Sequence, residues 1–101
     1  MGIKNTFRSL TSVYTAVLSS VLSASGCEIG AFAASRAEVA VTARVVLVDV
    51  LVSLGMSEGV ISKVSGMSQQ RVNRLKNSAR LRLRGLLGKT MRKEVGDAFG
   101  V

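Results

Sequence analysis

Residues 58–75 read EGVISKVSGMSQQRVNRL, with a glycine in the middle and a change of character on either side of it. Before Gly66, the residues Val60, Ile61 and Val64 share one side of a short helix that Ser57 caps. After it, Ser68 caps a second helix on which Val72, Leu75 and Ala79 face inward. This is the spacing of a helix-turn-helix. Ile61 and the small Ser62 lie on the first helix, Gly66 and the apolar Met67 at the turn, and Val72 and Leu75 on the second helix. The glycine permits the reversal and the apolar residues set the interhelical angle, so that the second helix projects outward. The pattern predicts an all-α fold, a small bundle of four to five helices. A plain helical hairpin inside a bundle core would satisfy the same spacing.

The outward positions of the second helix are polar and none is acidic. Gln69, Gln70, Arg71, Asn73 and Arg74 suit base edges, because Gln and Asn can bond adenine bidentately and Arg can do the same with guanine. Ser68, Lys76, Arg80, Arg82, Arg84 and Lys89 suit phosphate oxygens, which strengthen binding without reading sequence. The alternative for the arginines and lysines from Arg80 to Lys93, Arg92 included, is a solvated face.

The charge distribution sharpens this reading. The 101 residues carry a formal net charge of +8. Residues 1–55 hold four basic and three acidic side chains, whereas residues 56–101 hold ten and three. From Gln69 to Lys93 there are nine Lys and Arg and no acid. The positive charge therefore belongs to one stretch, and it points to a polyanionic partner.

The rest of the chain reads as support. Phe7, Leu10, Val13, Tyr14, Val17, Leu18, Val21 and Leu22 form an apolar stripe on a helix over 6–25. Residues 28–34 suggest a single turn that tucks Phe32 into the core. Ser35 and Glu38 have the spacing of a capping box, opening a helix over 35–54 that stops at Gly55. Its valines favour a strand, but its length and caps favour a buried central helix. A segment over 79–93 is basic, with Leu81, Leu83, Leu86, Leu87 and Met91 as apolar anchors. It either continues the helix from Ser68 or follows a break near Asn77-Ser78. Residues from Glu94 onward read as frayed. Arg36 and Arg44 suit helix-surface or intramolecular contacts, and Met56, Met67 and Met91 suit core filling.

Lys4, Arg8 and the box Ala24-Ser25-Gly26-Cys27 have the outline of a lipoprotein signal. Five serines and threonines between Leu10 and Leu22 make that stretch too polar for a signal core. A cytoplasmic, nucleoid-associated protein is expected instead, without membrane attachment. Cys27 is the single cysteine and there is no histidine, so neither a disulfide within the chain nor a structural zinc site is expected.

Residues 56–87 resemble the promoter-reading fourth region of bacterial sigma factors and the related LuxR-type modules. The likeness rests on the capped short helix, the Gly-apolar turn, Val72-x-x-Leu75 and the tail Ala79-Arg80-x-x-Leu83-Arg84. The start Gly66-Met67-Ser68-Gln69-Gln70 also resembles the recognition helix of lambdoid phage repressors. More loosely, residues 10–75 are similar to the C-terminal DNA-binding domain of the replication initiator DnaA. The shared order is a Val/Leu-rich helix, Ser35-Arg36, then Ala43-Arg44 opening onto Leu-rich turns. In that alignment Arg36 and Arg44 would approach phosphate. That family enters its recognition helix with Asp-His-Thr, whereas this chain has Ser68-Gln69-Gln70. The resemblances imply a trihelical core and binding to double-stranded DNA by a bacterial or phage regulator.

Paired carboxylates within one element, a Gly-rich phosphate loop and a base beside Cys27 are all missing. An enzyme is therefore not expected, and neither is a cofactor or a small-molecule substrate. Two other classes remain: a protein-interaction module, with a homodimer through the N-terminal helix or the basic run against an acidic surface, and peripheral membrane association through 79–93.

Overall fold

A computed structural model describes the backbone of residues 3–101 and the side chains of residues 9–101. Phe7, Lys4 and Arg8, which the sequence reading used, lie outside the described side chains. Six helices and no strand occur among the described residues: α1 (Ile3–Ser25), α2 (Ile29–Ala34), α3 (Glu38–Ser53), α4 (Glu58–Ser65), α5 (Gln69–Arg82) and α6 (Leu86–Phe99). The expected four to five helices become six because Ile29–Ala34 form a short helix of their own and the basic C-terminal half divides in two.

The hub is α3, which packs against α1, α2, α5 and α6. Val45, Val46, Leu47, Val48, Val50 and Leu51 are all sealed from solvent, so the helix is buried on every side. This explains why its valines lack a clear stripe, since a helix apolar all round is a core helix. A valine in a helix costs up to about 0.7 kcal/mol in propensity. Full burial returns about 1.5–3 kcal/mol for each such side chain, so burial decides the conformation. On α1, Val17 and Val21 are fully buried against this core, and Leu10, Val13, Tyr14, Leu18 and Leu22 pack around them.

The start of α3 differs from the capping-box expectation. Ser35 ends α2, its amide donating to the Ala31 carbonyl at 2.8 Å, while its Oγ accepts from the Ala37 amide at 3.1 Å. The helix begins only at Glu38, and no side chain caps it. The reason is Arg44, whose Nη1 donates to the carbonyls of Phe32 and Ser35 at 2.8 and 2.9 Å. That bridge holds the end of α2 against α3 and keeps Phe32 in the core, as the single-turn reading anticipated.

Further corrections fall in the C-terminal half. Of the two readings left open for the basic segment, a break near Asn77-Ser78 is not seen: both residues stay inside α5, and the chain breaks at Leu83-Arg84-Gly85. Gly88 makes this break possible, because a Cβ there would sit 2.2 Å from the Arg82 carbonyl oxygen. Leu81 and Leu86 are 76% and 83% exposed, and Leu87 is exposed as well, so of the five expected anchors only Leu83 and Met91 join the core. The frayed end is also overturned. Met91 and Val95 are buried, Phe99 is partly so, and all pack with the core. The Val101 amide closes the end of α6 on the Gly96 carbonyl at 2.9 Å.

Candidate nucleic-acid interface

Short polar side chains build the α4–α5 junction. Ser57 Oγ accepts from the Val60 amide at 3.2 Å and Ser68 Oγ from the Arg71 amide at 3.1 Å, so both helices start on side-chain caps. Between them Gly66 takes φ of 76°, a left-handed conformation that costs other residues strain. Ser62 Oγ donates to the Met67 carbonyl at 2.7 Å, and Ser65 Oγ accepts from the Met67 amide at 3.1 Å. These bonds lock the three-residue turn, and Ile61 and Val72 are fully buried beneath it.

Burial of Val72, Leu75 and Ala79 turns the opposite side of α5 outward. All eleven side chains expected to meet DNA are exposed: Ser68, Gln69, Gln70, Arg71, Asn73, Arg74, Lys76, Arg80, Arg82, Arg84 and Lys89. Arg80 and Arg82 belong to α5 itself, Arg84 to the following turn, and Lys89 to the first turns of α6.

Their occupations differ. Asn73 Nδ2 donates to Glu58 Oε1 at 2.9 Å, and Lys76 Nζ lies 3.5 Å from the same oxygen. Asn77 Nδ2 then donates to Asn73 Oδ1 at 3.1 Å. This cluster fastens α5 to the first turn of α4, and it shows an acid facing the polar row that the sequence reading had not connected to it. Only a contact across 15 residues reveals the link. Arg71 Nη2 reaches the Ala33 carbonyl at 3.3 Å, so this side chain leans toward α2. Ser68 Oγ accepts the cap bond, which leaves its O–H free to donate.

Two cations leave the run. Arg92 is paired with Asp49 and donates to Ser53 Oγ at 3.1 Å, clamping α6 to α3. Lys93 Nζ pairs with Asp97 at 2.9 Å, and this bond raises its pKa. Gln69, Gln70, Arg74, Arg80, Arg82, Arg84 and Lys89 have no protein partner among the described residues. Lys63, exposed in the last turn of α4, has none either. Arg36 is exposed and Arg44 is internal, as expected.

Comparison with protein-family models, curated proteins and solved structures gives no match to this chain. The residues themselves carry the functional argument. No group of acidic, Cys or His side chains able to hold a metal occurs among the described residues. Among them, too, no helix is long and apolar enough to cross a membrane.

Proposed function

We propose that the chain binds double-stranded DNA, with α4 and α5 acting as a helix-turn-helix and α5 entering the major groove. The observation that carries this reading is the exposed row Gln69, Gln70, Arg71 and Arg74 on α5, which holds no acid of its own, is mounted on a locked turn and is followed by arginines without a protein partner among the described residues. A 14-residue helix is about 21 Å long, enough for its first turns to reach base edges in a groove about 12 Å wide. Gln69, Gln70, Arg71, Asn73 and Arg74 read bases, with Asn73 first releasing Glu58. Ser68, Lys76, Arg80, Arg82, Arg84 and Lys89 hold phosphates. Such a protein acts as a small regulator in the bacterial nucleoid or in a phage, without catalysis. Its outward α1 face, with Ser12, Thr15, Ala16, Ser19 and Ser23, is uncharged and suits pairing of two copies.

Selection of bound duplexes from a random pool at two salt concentrations tests the proposal. A recovered consensus whose affinity falls steeply with salt is the expected result. Absence of any duplex binding at low salt rejects it.

A second reading has its own observation. Leu81 and Leu86 are bare beside Arg80, Arg82 and Arg84. Apolar side chains ringed by cations suit an acidic, amphipathic protein surface. In that case the isolated chain binds an acidic helical peptide and ignores duplex DNA.

A further inference from the structure

A cavity of about 260 Å3 opens where α1, α2, α3 and the α4–α5 turn meet, lined by Tyr14, Ile29, Phe32, Met67, Arg44 and Arg71 among others. Its walls contain two guanidinium groups and no carboxylate. Arg44 is 9% exposed, yet only its Nη1 is engaged, by the carbonyls of Phe32 and Ser35. No polar side-chain atom is sealed away without a partner among the described residues. The remaining nitrogens of Arg44 have no hydrogen-bond partner among the described residues, and Arg44 is one of the residues that line the cavity. Burial and the like charge of Arg71 both disfavour the charged form of Arg44. Two adjacent cations with no acid between them leave room for an anion.

We infer that this cavity is a binding site for a small monocarboxylate with an apolar body. Guanidinium donors form a planar fork that matches a carboxylate bidentately. Tyr14, Phe32, Ile29 and Met67 supply the apolar and aromatic wall for the rest of the molecule. The volume is below the ~300–1,000 Å3 of drug-sized sites, which restricts the occupant to something near the size of benzoate. A phosphate or sulfate ion would match the charge and leave the apolar wall unused. The site does not depend on the DNA-binding proposal, although Arg71 belongs to both.

Titration of the isotopically labelled full chain with sodium benzoate, followed by amide NMR, tests the inference. Saturable shifts are expected at Ile29, Ala33, Gly66 and Met67. Benzamide, neutral and of the same shape, and sodium sulfate should fail to produce them. Arg71→Gln, an exposed position, should weaken benzoate binding by about tenfold or more, because a charge-assisted pair is lost, and should move the thermal midpoint little, since its one bond to the fold, to the Ala33 carbonyl, is exposed. Because Arg44 also holds α2, replacing it could unfold the chain, and the Arg71 variant avoids that ambiguity. The inference is overturned by absent or non-saturating shifts, by equal responses to benzamide or sulfate, or by shifts confined to Arg80–Lys89.

Discussion

Glu58 Oε1 accepts a hydrogen bond from Asn73 Nδ2 at 2.9 Å, across the turn that joins α4 to α5. The same oxygen lies 3.5 Å from Lys76 Nζ, with side-chain exposures of 47% for the lysine and 24% for the glutamate. A pair so open to water contributes about 0–1 kcal/mol to stability. Its larger effect is on the field of the polar row, where it sets a negative charge against side chains suited to DNA.

Glu58→Gln should therefore tighten duplex binding rather than weaken it. The amide still bonds Asn73, Lys76 is released, and the salt slope should steepen by roughly one unit per added phosphate contact. Fluorescence anisotropy over a series of salt concentrations measures both. An unchanged slope would remove Lys76 from the phosphate-contacting group.

Arg74→Ala and Lys89→Ala should behave differently. Arg74 is at the head of α5, and its loss should relax base preference at one position at a cost of about 1–3 kcal/mol. Lys89 is on α6, and its loss should weaken all duplexes alike. Competition between matched and mismatched duplexes separates the two, and sequence-blind losses from both variants would count against α5 as the reading helix.

Arg44→Met should destabilise the fold by about 2–4 kcal/mol. It removes two charge-assisted bonds and strands the carbonyls of Phe32 and Ser35 near the core. Urea denaturation reads the change. A loss below about 0.5 kcal/mol would mean that the α2 bridge is dispensable.

Gly88→Ala and Gly59→Ala should move stability in opposite directions. At Gly88 the new methyl would lie 2.2 Å from the backbone oxygen of Arg82, forcing α6 away from α5. At Gly59 it would meet nothing closer than Ser57 Oγ at 4.0 Å. The helical preference of alanine there should add about 0.5–1 kcal/mol. Paired thermal melts check both signs.

Tyr14 is the only tyrosine and the chain has no tryptophan, so ultraviolet titration follows one phenol. Burial raises its pKa above the ordinary value. The folded pKa exceeds the unfolded one, so this group's stabilisation is complete below the unfolded value and disappears as pH climbs through the folded value. Phenolate absorbance should emerge at higher pH in the native chain than in urea. Coincident curves would contradict the burial of this ring.

Several elements were legible because their causes are local. Ser57, Gly66 and Ser68 mark caps and a left-handed turn through their own chemistry, and the three-four spacing of Val72, Leu75 and Ala79 defines the inner side of α5. The exposure of the candidates on α5 follows from the same periodicity, whereas Arg84 and Lys89 lie beyond that helix. The opening of α3 was misread because Ser35 fits a capping box locally, while Arg44, nine residues along the chain, claims its carbonyl. The C-terminal end was read as frayed because Gly88 and Gly96 argue against helix, whereas packing of Met91, Val95 and Phe99 against the core argues for it more strongly.

By itself, the sequence determined an all-helical chain with a basic second half and a capped, glycine-turned helix pair, since propensity, periodicity and charge are properties of neighbouring residues. Tertiary structure alone decided which cations remain free. Arg92 goes to Asp49, 43 residues away, and Arg44 and Arg71 come to line one cavity. It also left Leu81 and Leu86 in water. Pairing and burial between distant segments depend on how the helices pack, and no local pattern encodes that distance.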